Sequence, residues 1–75
     1  FTFGMKTLTQ GSKGSEVVEV QKRLAGHGFY NGEIDGRYGA GTREAVIRFQ
    51  KANGLEPSGN VNMETYRALG IILFE

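Results

Sequence analysis

The chain carries a partial copy of itself, and that repetition limits its possible folds more than any other feature. "VVEVQK" from Val17 returns as "VIRFQK" from Val46. Each is followed by a glycine and an apolar residue, Gly28-Phe29 and then Gly54-Leu55. Next come the glycine-led tetrapeptides "GEID" from Gly32 and "GNVN" from Gly59. "TREAV" from Thr42 finally matches "TYRAL" from Thr65. Two copies of helix, turn, short extended piece and helix start therefore share the middle helix. In this alignment Ile34 pairs with Val61, each expected to plug an apolar side chain under the helices. Asp35 pairs with Asn62, each placed to accept backbone N–H bonds ahead of it.

The helices themselves read from periodicity. Val17, Val20 and Leu24 fall at helical spacing in "SEVVEVQKRLA", with Gln21 on the same stripe. Glu16 and Glu19 precede Lys22 and Arg23, an order that complements the helix dipole. Gly26 and Gly28 supply the stop. In "AGTREAVIRFQKAN" the inward face is Thr42, Ala45, Val46 and Phe49, with Glu44 and Arg48 as a surface pair. A short third helix follows Asn62 and turns Thr65, Ala68 and Leu69 inward. The expected fold class is all-α, a three-helix bundle with glycine-rich connections. The apolar tail Ile71–Phe74 is expected to pack back across it.

Between the first two helices lies "GFYNGEIDGRYGAGT", with five glycines in 15 residues. Asn31-Gly32 tolerates positive φ, and Pro57-Ser58-Gly59 presets the corresponding later turn. The stretch thus reverses the chain, inserts Ile34 and Tyr38 and launches the second helix. It also leaves open surface. The first amides of that helix, around Gly39 to Gly41, lack intrahelical partners and suit a carboxylate. Tyr30, Asn31, Asp35, Arg37, Tyr38 and Arg43 are the candidate ligand-binding residues, for a sugar face and a peptide carboxylate. Gln21 and Gln50 recur on core-side stripes and are read as amides bonding loop backbone rather than ligand.

With 75 residues the chain makes one small domain, residues 8–75, preceded by residues 1–7 as a linker or leftover segment. It starts at Phe1, as a processed or excised piece would, and "FTFGMKT" lacks the layout of a secretory signal. No cysteine is present to staple it or bind zinc, and no apolar run approaches a membrane span. A net charge of +1 disfavours nucleic acid as a partner. The cationic faces around Lys22, Arg23, Arg48 and Lys51 are solvated surface, able to add weak attraction to an anionic partner.

Reaction chemistry finds no foothold. His27 is the single histidine and sits at a helix end, where it is read as a solvated residue suited to the dipole. One histidine without cysteine cannot assemble a usual zinc-hydrolase set. Glu33 and Asp35 are the only near carboxylate pair in the loop, and Asp35 is expected to be committed to backbone bonds. "GAGT" lacks the lysine and spacing of a phosphate loop. No metal or cofactor is expected.

Taken together, these motifs resemble the peptidoglycan-binding domain of the first type, a module of bacterial cell-wall hydrolases. The similarity runs from about Leu8 to Leu69. Its parts are the leading Gly-x-x-Gly, Val-x-x-Val-Gln with Leu24, the Gly-Phe-Tyr turn, Asp-Gly-x-Tyr-Gly, Thr-x-x-Ala-Val-x-x-Phe-Gln and a closing Thr-x-x-Ala-Leu. This chain has Ala40 where such domains often carry proline, Tyr66 where tryptophan is frequent and Asn62 where aspartate is usual. The resemblance implies a non-catalytic, monomeric module outside the cell or in the wall, in bacteria or encoded by phage. It would bind glycan or stem peptide and target an attached amidase, peptidase or glycosidase. The family defines no agreed contact set, so the six candidates rest on the surface reasoning above. A protein-docking or regulatory role, motivated by the apolar tail, is the alternative.

Overall fold

A computed structural model describes residues 7–70. Three helices appear: α1 (Ser15–Gly26), α2 (Ala40–Ala52) and α3 (Met63–Ala68), with no strand among the described residues. The expected stripes face inward. Val17, Val20, Gln21 and Leu24 of α1 meet Thr42, Ala45, Val46, Phe49 and Gln50 of α2, all buried. In α3 Thr65 is buried as expected and Ala68 is half-buried, Leu69 is buried at its C-cap, and Tyr66 joins the core as well. Asn62 caps α3, its Oδ1 accepting from the Thr65 amide at 3.0 Å. The tail Ile71–Phe74, expected to pack back across the bundle, lies outside the described residues.

Both repeat halves are organised by their glutamines. Gln50 Oε1 accepts from the Gly59 amide, and its Nε2 donates to the Asn60 carbonyl and to Thr65 Oγ1, at 2.8 to 3.0 Å. Gln21 does the same one copy earlier: Oε1 accepts from the Gly36 amide, and Nε2 donates to the Arg37 carbonyl and Thr42 Oγ1. Each buried amide thus ties a helix to the loop that follows it and to the start of the next helix. No buried side-chain nitrogen or oxygen among the described residues lacks a partner.

This geometry corrects the register read from sequence. Gly36, Arg37, Tyr38 and Thr42 superpose in role on Gly59, Asn60, Val61 and Thr65. Tyr38, not Ile34, is therefore the counterpart of Val61, and both are buried while Ile34 is 44% exposed. Asp35 corresponds to Ser58 rather than to Asn62: each accepts a backbone N–H two residues on, from Arg37 and Asn60 respectively. Asp35 closes a turn and caps no helix, since the α2 N-cap is Gly39. Gly36 and Gly59 take φ of +74° and +81°, which only glycine adopts at low cost.

The segment before α1 clamps both loops. Leu8 and Val61 exchange backbone hydrogen bonds at 3.0 and 2.9 Å. Further along, the Gly11 amide donates to the Tyr38 carbonyl, Tyr38 to Ser12, and Gly14 to Gly36. Tyr38 Oη crosses to the second loop and donates to the Gly59 carbonyl. This one segment, turning at Gln10-Gly11, thereby locks the two repeat loops side by side.

Candidate functional site

Loop 27–39 leaves α1 through a backbone bond from the Phe29 amide to the Leu24 carbonyl, and the Phe29 ring meets Phe49 edge-on at 5.5 Å. Tyr30 comes next. Its hydroxyl donates to the Glu33 carbonyl at 2.6 Å and receives Gln21 Nε2 at 3.3 Å. The ring lies over Gly32 so closely that a Cβ there would stand 2.7 Å from Tyr30 Oη. Asn31-Gly32 does not use the positive φ expected of it; the glycine instead leaves the space that the Tyr30 ring fills. Tyr30 is therefore a fixed aromatic surface held by its own loop.

Facing it is the first half of α2. Ala40 and Gly41 keep this side low, and Gly39 caps the helix with no side chain. Between loop and helix opens a cavity of about 400 Å³, lined by Tyr30, Asn31 and Gly32 on one side and Ala40, Gly41, Glu44 and Arg48 on the other, with Phe29 and Ala45 at the base. Glu44 and Arg48 stand 4.0 Å apart and are largely exposed. Such a pair contributes at most about 1 kcal/mol. Both ends are therefore available to a ligand.

A second, smaller depression of about 300 Å³ lies across the α2 N-terminus, lined by Gly11, Ser12, Lys13, Arg37, Tyr38 and Gly39. Lys13 and Arg37 are directly opposed on an antiparallel bridge. Side chains so opposed share a face, and like charges there repel. Neither has an ion-pair partner among the described residues.

The six expected site residues do not gather in one place. Tyr30 and Asn31 line the larger cleft, and Arg37 faces the smaller one. Arg43 lies against Gly59, where a Cβ would meet its Nε at 2.9 Å. Tyr38 is 2% exposed, so it is a core residue and offers a ligand nothing beyond a sliver of its edge. Asp35 is exposed but engaged: Oδ1 accepts from the Arg37 amide at 3.0 Å and from Gln21 Nε2 at 3.2 Å. These bonds, the Arg37 amide first, hold its carboxyl below the ordinary value. That is the wrong direction for a general acid, which needs a raised one. His27 ends α1, with its ring 5.5 Å from that of Phe49.

Missing from the sequence reading were Phe29, Glu44 and Arg48 as cleft residues, while Ala40 and Gly41 lie in the stretch whose amides it offered to a carboxylate. A signal for them existed: Ala40, Glu44 and Arg48 repeat at i, i+4, i+8 and so share the α2 face beside the loop.

Comparison with known proteins agrees with this architecture. Residues 13–69 match the family model described as "Putative peptidoglycan binding domain". The spore cortex-lytic enzyme of Bacillus subtilis (strain 168) is 46% identical over 68 residues, covering 89% of this chain and 22% of that enzyme. The crystal structure of the SleB N-terminal domain superposes with a TM-score of 0.89 at 36% identity, covering 92% of this chain and 94% of that one. A Burkholderia AP3 phage endolysin superposes at 0.81 with 38% identity, over 85% of this chain and 24% of the endolysin. The chain thus spans about a quarter of the length of the curated relatives it matches.

Proposed function

This chain belongs to the peptidoglycan-binding domain family, a module found within cell-wall hydrolases, and from that premise we propose that it binds peptidoglycan through the cleft between residues 29–32 and α2. The observation that carries this reading is the fixed Tyr30 ring facing a low helix wall across about 400 Å³. A sugar presents one apolar face and a rim of hydroxyl and acetamido groups. The first fits an aromatic surface, and the second fits the Asn31 amide, Glu44 and Arg48. A carboxylate of the stem peptide then reaches Lys13 and Arg37 across the N-terminus of α2.

Catalysis belongs to a domain attached to this one. The module's contribution is concentration: holding a hydrolase on an insoluble substrate makes its next encounter intramolecular. Its place of work is accordingly the wall or the space outside the membrane, and no described helix is long and apolar enough to cross a membrane. Residues 8–75 act as the binding unit and residues 1–7 as its linker.

Co-sedimentation with purified sacculi tests this. The domain should pellet at low salt, Tyr30→Ala and Arg48→Ala should pellet less, and Lys22→Ala, which removes the same charge away from the cleft, should lose less than Arg48→Ala. A parent that stays in the supernatant while a known binder pellets rejects the proposal.

A further inference from the structure

Two Asn-Gly pairs occur in the chain, Asn31-Gly32 and Asn53-Gly54, and the structure treats them oppositely. Asn-Gly is the dipeptide most open to spontaneous deamidation, because a glycine amide meets no steric shield when it attacks the preceding side chain. Asparagine counts among the thermolabile residues for this reason. At the second pair the reacting groups are restrained. Asn53 Nδ2 donates to the Phe49 carbonyl at 2.9 Å, and the Gly54 amide donates to Lys51 at 3.3 Å. At the first pair both residues are exposed, and neither the Asn31 side chain nor the Gly32 amide makes a hydrogen bond among the described residues. A larger residue at position 32 would remove the liability only by displacing the Tyr30 ring, which occupies the space a Cβ would need.

We propose that Asn31 is a site of spontaneous deamidation whose product places a carboxylate on the rim of the cleft. The Gly32 backbone nitrogen attacks Asn31 Cγ. A new N–Cγ bond forms, the Cγ–Nδ2 bond breaks, and ammonia leaves with the amide proton. Water then opens the five-membered imide at either carbonyl, giving aspartate or isoaspartate at position 31. No oxidant or enzyme is required. The new charge sits with Glu44 on the cleft wall and opposes an anionic ligand, and isoaspartate also lengthens the backbone beside the Tyr30–Gly32 contact. This consequence rests on the wall-binding reading above; the chemistry does not. The site acts as a clock on the age of the protein, lowering retention on the wall.

Trypsin separates the two pairs, since cleavage after Arg23 and Arg37 releases one and cleavage after Lys51 and Arg67 the other. Folded protein aged at mildly alkaline pH should convert the 24–37 peptide at least about tenfold faster than the 52–67 peptide. Protein aged in urea should convert both at similar rates, since the restraint on Asn53 is then gone. Equal rates in the folded protein, or faster conversion at Asn53, overturn the assignment. Asn31→Asp, an immediate copy of one product, should pellet about fivefold less well with sacculi at low salt and recover towards the parent as salt rises. Equal pelleting of parent and Asn31→Asp overturns the effect on binding while the peptide map still stands. A parent that never pellets rejects the wall-binding reading and that effect together, and the map still decides the chemistry.

Discussion

Replacing Gln50 by glutamate changes one NH2 to an oxygen and should make the stability of the fold depend on pH. Gln50 is fully buried. It accepts from the Gly59 amide at 3.0 Å and donates to the Asn60 carbonyl at 2.8 Å and Thr65 Oγ1 at 3.0 Å. An ionised glutamate keeps the first bond and loses both donors, at about 1 kcal/mol each. It also buries a charge, which brings the total to about 3–5 kcal/mol. A chain of this size holds only about that much net stability, so Gln50→Glu should be largely unfolded at neutral pH. Protonation restores one donor and removes the charge. Burial raises the folded-state value of that carboxyl above its unfolded value of about 4.3. Stability is therefore present below about 4.3 and lost as pH rises through the folded value. Melts followed by far-UV circular dichroism between about pH 4 and 7 should show the variant gaining stability towards acid while the parent stays nearly flat. The window lies above Asp35, whose lowered value means its contribution is lost only as pH falls below the ordinary 3.8. If Gln50→Glu melts with the parent at pH 7, or gains nothing on acidification, the two donor bonds do not hold the second loop.

Gly32→Ala should displace the Tyr30 ring, since the new Cβ would overlap Tyr30 Oη, Cζ and Cε1; the expected result is reduced sacculus retention with a small change in melting temperature, and full retention would refute the ring's role. Gly36→Ala meets a φ of +74°, the Val18 side chain and the Gly14 carbonyl at once, so it should cost about 2–3 kcal/mol in denaturant melts. Tyr38→Phe leaves the Gly59 carbonyl without its phenol donor and should cost about 1–2 kcal/mol, with the wall-binding surface unaltered by NMR. Burial pushes the Tyr66 phenol up to about 12 and raises that of Tyr38 as well. Their contribution is present below the unfolded value of about 10 and is lost as pH rises through the folded values; helix signal should fall together with the ionisation of Tyr38 and Tyr66 resolved by NMR, and their ionisation at about 10 with helices intact would contradict the packing.

The sequence by itself determined the helices and what they hide. Apolar periodicity placed Val17, Val20, Leu24, Ala45, Val46 and Phe49 inward, and the paired glutamines announced the two amide hubs. Both are local signals: a helix has a fixed period, so a pattern of side chains fixes its buried face. The internal echo likewise marked two equivalent halves. Only the tertiary structure decided how the loops are threaded through them. Matching tetrapeptides set Ile34 against Val61, yet Tyr38 fills that place, because the register is set by which backbone amide reaches the glutamine oxygen. Irregular loops have no period from which such a bond can be read. The same limit scattered the expected binding residues. Tyr30 and Asn31 stayed on the cleft, Arg37 went to the far side of the α2 N-terminus, and Tyr38 went into the core. A surface between a loop and a helix exists only once the two are packed together.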